Sequence, residues 1–289
     1  MRMSNFMVRG ALRPVLESTT REGAIAELIA SLQAAGAFAP APRPAPITTI
    51  LTAQAWLELK LLLRNGEQLL LTMFIPITVL IGLCLLPIDA GLGATVGERA
   101  HVMVPAIMTV AIMSTAFTGQ AIAVGFDRRY GALKRLGATP IPRWGIIAGK
   151  AIAVALVVAL QAVILGGIGL ALGWRPDIAG LALGAVIIMV GTVTFAALGL
   201  LLGGTLKAEV VLALANLLWF VLIGIGSLTI VDSGVPETVR LAARCVPSGA
   251  LTEALSRAAS GGFDAFGICV LLIWAAVAAA LAVRWFKFE

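Results

Sequence analysis

Long apolar runs separated by short polar connections dominate this chain. A helix needs ~20 mostly apolar residues to cross a hydrocarbon layer. Six stretches qualify, at about 69–86, 102–124, 146–172, 178–202, 210–231 and 264–283. The first is short and holds Pro76. Ahead of it, Ile50 to Asn65 follows a different rhythm. At 100° per residue Leu51, Ala55, Trp56, Leu59, Leu62 and Leu63 share one arc. Gln54, Glu58, Lys60, Arg64 and Asn65 share the opposite arc with Leu57 and Leu61. This pattern predicts a helix lying in the membrane surface with its tryptophan near the headgroups. The alternative is an extension of the first span, but Gly66 and Glu67 interrupt the run.

The connections carry their own signals. Between the second and third runs, Asp127 suits a helix start, Gly137 suits its end and Pro140 prevents resumption. A short helix over about 127–136 is therefore predicted, part apolar and part basic through Tyr130, Leu133, Lys134 and Leu136. Such a segment reads either as an orientation-setting basic loop or as a docking surface. A plain loop needs no capped helix with apolar side chains, which favours docking. Between the fifth and sixth runs, Pro236 and Pro247 can each open a short helix. There Glu253 and Arg257 stand four apart, and Leu251, Ala254, Leu255 and Ala258 form an apolar face. Glycines recur at four-residue spacing at 169/173, 180/184 and 199/203, as close helix packing in lipid favours.

The amino-terminal residues differ again. Thr19 and Glu22 fit a capping box, Ala24, Ile25, Leu28, Ile29 and Leu32 share a face, and Gly36 ends the helix. Alternating prolines from Pro40 to Pro46 then favour an extended spacer. The domain division expected is a tail of residues 1–46 and a transmembrane domain of 47–289.

Composition narrows the class. Of 289 residues, 60% are hydrophobic and 12% charged, and mean hydropathy is +1.01. Soluble domains average roughly 45–50% apolar and 25% charged residues. Soluble enzymes, nucleic-acid-binding modules and disordered chains are excluded together, which leaves an integral membrane protein. The formal charge of +6 is distributed as an orientation signal. Sixteen Lys and Arg residues fall in the tail, the helix before the first span, the second-to-third and fourth-to-fifth connections and the carboxyl end; five fall in the opposite connections. The positive-inside rule then puts both termini in the cytoplasm of a multi-pass plasma-membrane protein.

Candidate chemistry is sparse. Away from their ends the six runs hold no Asp, Glu, Lys, Arg or His, so the relays of ion-coupled carriers are missing. Gln120, Gln161 and Asn216 are the strongest uncharged polar groups, suited chiefly to bonding between helices. His101 stands alone, and Cys84, Cys245 and Cys269 have no metal or disulfide spacing. Gly145-Ile146-Ile147-Ala148-Gly149-Lys150 is one residue short of a phosphate loop and has Ala151 where Ser or Thr is required. No catalytic residue, metal site or nucleotide site is expected in this chain.

Phe126-Asp127-Arg128-Arg129-Tyr130-Gly131, continuing through Leu136, Thr139-Pro140 and Gly149-Lys150, resembles the signature of type-2 ABC transporter permeases. Arg64-Asn65-Gly66-Glu67 with Ile75-Pro76 resembles the approach to the first span in that family. Val235-Pro236 and Val246-Pro247 resemble its outer loop. The resemblance covers about residues 50–289, is closest to the daunorubicin-resistance type, and leaves the tail without a family role. It implies an all-α membrane fold of six spans, with an in-plane connecting helix, a cytosolic coupling helix and short outer-boundary helices. It also implies a second permease subunit and a cytosolic ABC ATPase that carries ATP and Mg. The ATPase-coupling residues it implies are Asp127, Arg128, Arg129, Tyr130, Gly131, Leu133, Lys134, Arg135, Leu136 and Pro140. With the second and fifth spans facing the dimer axis, Thr109, Ser114, Phe117, Asn216 and Phe220 would line the path of a hydrophobic or amphipathic cargo moved outward. The alternative is a non-transporting membrane scaffold whose basic loop recruits a soluble partner.

Overall fold

The computed structural model describes residues 22, 23, 27, 30, 46–66, 70–86, 93–137, 141–230 and 234–286. Contacts divide the chain into two units, Met1–Pro46 and Ile47–Glu289. In the first, Glu22, Gly23, Glu27 and Ala30 have helical backbone. The apolar face expected there and the alternating prolines before Pro46 lie outside the described residues.

The regular structure of the second unit is all helix, with no strand among its described residues. Its helices are α1 (Ile47–Arg64), α2 (Ile75–Leu85, entered through a π-helical turn at Leu70–Phe74), α3 (Val96–Arg129) and α4 (Ala132–Gly137). After them come α5 (Arg143–Ala171), α6 (Ile178–Thr205), α7 (Ala208–Ser227), α8 (Glu237–Arg244), α9 (Pro247–Ala259) and α10 (Ala265–Trp285). Five of these, α3, α5, α6, α7 and α10, are long and apolar enough to cross a membrane. The first predicted run forms a shorter apolar helix, Thr72–Leu85. This is a multi-pass membrane protein.

The longest helix, α3, shows how local chemistry sets boundaries. Thr95 and Glu98 form a reciprocal capping box at its start. Pro105 lies inside it and supplies no N–H to the helix ladder. Over Met113–Gly119 the helix widens to π geometry before returning to α at Gln120, a local form that often marks functional segments. The carbonyls of Ala116, Phe117 and Ala121 lie against Gly199 and Gly203 of α6, where any Cβ would collide with them. Of the three glycine pairs, 199/203 therefore provides the close helix approach its spacing suggested. Nearby, Gln161 of α5 ties three elements together. Its Nε2 donates to Thr72 O at 2.9 Å, and its Oε1 accepts from Thr115 Oγ1 at 3.1 Å.

Arginines complete several helix ends, where backbone carbonyls lack partners. Arg99 Nε donates to Cys84 O at 2.9 Å at the end of α2. Arg175 Nη1 donates to Leu170 O at 2.7 Å at the end of α5. Arg128 Nη1 donates to Gly203 O at 3.0 Å and Leu206 O at 2.9 Å at the end of α6.

The α8–α9 pair closes the bundle end that holds the start of α3. His101 pairs with Ser260 Oγ at 3.1 Å, and Arg244 clamps the buried Asp264 at 2.7 Å. Leu251, Ala254, Leu255 and Ala258 are buried as one face, and Arg257 pairs with Glu253 at 2.7 Å. Pro247 opens α9 from within its first turn, whereas Pro236 stands just ahead of α8.

Two local expectations are corrected. Asp127 does not cap a separate helix, because α3 continues through it to Arg129. The break falls at Tyr130–Gly131, where Gly131 takes φ +69°, and α4 starts only at Ala132. Two residues of the polar arc of α1 also depart from expectation. Gln54 and Glu58 are buried, while Lys60, Arg64 and Asn65 on the same arc are exposed, as is Trp56 on the apolar arc. One partner explains both differences, and it lies far along the chain at Lys150.

Candidate functional site

Lys150 stands in the second turn of α5 and faces both α1 and the end of α3. Its Nζ donates to Glu58 Oε2 at 2.8 Å and to Asp127 Oδ2 at 2.7 Å. Glu58 Oε1 accepts from Gln54 Nε2 at 3.0 Å, one turn earlier on α1. Gly149 makes this approach possible, since a Cβ there would strike the Gln54 side chain. The side chains of Glu58 and Lys150 are 8% and 11% exposed, and that of Asp127 is 34% exposed. Desolvating such ions is costly unless each is paired and hydrogen-bonded. The three charges therefore act as a unit, fastening α1 to α5 and α5 to the last turn of α3.

The segment just past this lock divides into inward and outward sets. Leu133 is 1% exposed and packs with Val124, Ile146 and Leu200. Leu136 is half-buried beside them. Arg128 is spent on the end of α6, and Arg129 pairs with Glu209 of α7. Arg129 also lies 5.9 Å from the ring centres of both Phe126 and Tyr130. Facing outward are Tyr130, Lys134 and Arg135. Arg135 folds back so that its Nη2 donates to Tyr130 O at 3.1 Å, bracing the turn. Of the ten residues expected in the coupling interface, these three and the ion-paired Arg129 offer exposed side chains; Pro140 lies outside the described residues.

Above the lock is a cavity of about 890 Å³. Its wall is built from α1, the π-helical stretches, the end of α3, α4, the start of α5 and α7. Glu58, Asp127 and Lys150 line it, as do the aromatic rings of Phe126, Tyr130, Trp219 and Phe220. Trp219 and Phe220 meet edge to face at 4.9 Å. Trp219 Nε1 donates to Ser114 Oγ at 3.0 Å, fixing α7 to the π-helical part of α3.

The expected pathway residues separate accordingly. Ser114, Asn216 and Phe220 line this cavity. Thr109 and Phe117 do not: Thr109 is buried and returns its hydroxyl to Pro105 O, and Phe117 is buried against Phe195. They share α3 with Ser114 but point into helix packing. Among the polar candidates, Gln161 bonds neighbouring elements and Asn216 Nδ2 donates to Leu212 O at 2.7 Å. The buried Gln120 amide has no hydrogen-bond partner among the described residues.

Sequence reasoning gave no functional role to Glu58, Gln54 or Trp219; it counted Lys150 among the orientation charges and met it again only as the end of the Gly149-Lys150 family resemblance. The signal available was modest. A lysine in the first turns of an apolar helix and a carboxylate on an amphipathic helix are each ordinary alone, and 92 residues separate the pair.

The fold and this site define a helical membrane protein, with a cavity joined through an ion-paired lock to an exposed short helix. A family model describing ABC-2 family transporter proteins matches residues 93–284. That match spans well over half of the chain, so the chain belongs to the ABC-2 family and is a permease subunit of an ABC transporter. No curated protein matches it.

Proposed function

We propose that this chain forms the translocation pathway of an exporter for hydrophobic or amphipathic cargo, driven by a separate cytosolic ABC ATPase. Two permease subunits, identical or paralogous, pair across α3 and α7, with lipids around them and both termini in the cytoplasm. ATP and Mg are bound by the partner ATPase, which docks on the exposed side of the Tyr130–Gly137 segment.

The observation that carries this reading is the continuity between that segment and the cavity. Asp127 lies three residues before Tyr130 on the same chain segment, is ion-paired to Lys150 and lines the cavity. A push on Tyr130, Lys134 and Arg135 reaches the lock through the last turn of α3. From there it reaches α1 and α5, which form two further walls. Closely packed elements transmit such displacements because their interiors yield little.

The test is co-expression with the phosphate-loop ATPase encoded beside this permease, followed by co-purification and ATPase assay. With Lys134→Glu alone as the control that spares the cavity lining, Tyr130→Ala with Lys134→Glu changes two exposed side chains. It should abolish co-purification and stimulated ATP hydrolysis while leaving expression and Tm intact. Full coupling in that variant would remove the docking assignment. Leu133 is unsuitable for this test, since its burial makes any polar replacement a folding defect.

A further inference from the structure

The charges around the cavity do not cancel. Its lining holds two carboxylates, Glu58 and Asp127, and one ammonium, Lys150, a formal sum of −1. Their exposures decide which charge an occupant meets. Glu58 and Lys150 are nearly closed off, and Asp127 is the open end. Lys150 engages Asp127 through Oδ2, which leaves Oδ1 available to an occupant of the cavity that Asp127 lines. Of the arginines that follow Asp127 in the chain, Arg129 pairs with Glu209, and Arg128 donates to the carbonyl end of α6; neither lines the cavity.

The remaining surface is mostly apolar and aromatic, with Ile122, Leu61 and Leu62 beside the four rings. Aromatic faces attract cations, and they do so more strongly where water is excluded. A lipophilic anion would meet Asp127 and the negative ring faces together. A neutral apolar molecule would desolvate the Asp127 oxygen that Lys150 does not engage and offer it no partner. A monocation with a bulky apolar body satisfies both features.

We propose that the cavity selects lipophilic monocations, with Asp127 facing the positive centre and Trp219 and Phe220 holding the apolar body. This rests on the reading of the cavity as the cargo site and adds the sign of the cargo's charge. Asn216 and Phe220 are exposed on the α7 wall, so replacing them changes the lining without touching the lock.

Tetraphenylphosphonium and tetraphenylborate are matched in shape and opposite in charge. Each is dialysed separately against nanodiscs holding the full chain, with empty nanodiscs subtracted. Saturable binding is expected for tetraphenylphosphonium, at least tenfold tighter than for tetraphenylborate. Asn216→Lys, which brings the lining to neutrality, should weaken the cation at least tenfold and narrow the difference between the two ions. Phe220→Ala should weaken the cation several-fold and leave its preference over the anion. Gel filtration and Tm confirm that both variants are folded. Equal or tighter binding of tetraphenylborate, still weakened by Phe220→Ala, would overturn cation selection and keep the cavity as a cargo site. No saturable binding of either ion, or binding that neither substitution alters, would overturn the cavity reading and this inference with it.

Discussion

Lys150→Met removes the shared cation of the lock and keeps an apolar stem of similar length. The consequence follows from what each carboxylate has left. Glu58, 8% exposed, retains only the Gln54 Nε2 bond. Asp127, 34% exposed, can recover water. Breaking a buried pair by deleting one partner costs about 3–5 kcal/mol. The open position of Asp127 places the loss near the lower end, about 3 kcal/mol. For a domain of this size each kcal/mol moves Tm by about 2–4 °C, so a fall of about 6–12 °C is expected. Adding Glu58→Gln removes the stranded charge, preserves hydrogen bonding to Gln54, and should restore about half of the loss. Tryptophan-detected thermal unfolding of the full chain in one detergent measures all three proteins. If Lys150→Met unfolds within about 2 °C of the wild type, the triad behaves as an exposed salt bridge worth under about 1 kcal/mol. The reasoning about a buried lock would then be refuted. A double variant no more stable than the single one would refute the assignment of the loss to Glu58.

Other consequences follow from the same geometry. Gly203→Leu should abolish monodisperse protein on gel filtration, because a side chain there meets Ala121 O. Gly184→Leu should be tolerated, since no neighbouring atom lies within 4 Å of a Cβ at that position. Arg128→Gln uncaps the end of α6 and should cost about 1–3 kcal/mol of stability, read as a lower Tm, with little change in cavity binding. Cys245 is exposed on the α8–α9 connection. With Cys269 replaced by Ala, an impermeant maleimide should label it in intact cells. A Lys134→Cys site in a background free of other cysteines should label only after permeabilisation; the reverse pattern would invert the proposed orientation.

The spans were legible because hydropathy reports the cost of moving each side chain into lipid. Their ends were less so. The second run, read as 102–124, extends over Val96–Arg129. At one end Arg99 finds carbonyl oxygens on α2, and at the other Asp127 and Arg128 find Lys150 and the end of α6. A hydropathy window registers those charges as exclusions and cannot register their partners. The same blindness affected α1. Its wheel placed Gln54 and Glu58 with the exposed Lys60, Arg64 and Asn65, and only Lys150 explains why those two are buried. All five of Thr109, Ser114, Phe117, Asn216 and Phe220 were expected to line the path; Ser114, Asn216 and Phe220 line the cavity, and Thr109 and Phe117 do not. The widened turn at Met113–Gly119 changes the angular register within α3, and nothing in the residue spacing announced it.

Transport by the purified chain in proteoliposomes tests the central claim most directly. Flux of tetraphenylphosphonium or another bound cargo is followed on ATP addition, with and without the partner ATPase. The expected result is ATP-dependent flux only when both subunits are present, lost in the Tyr130→Ala/Lys134→Glu variant. Equal ATP-dependent flux from this chain alone would contradict the claim that its motion is imposed through the segment beyond Asp127.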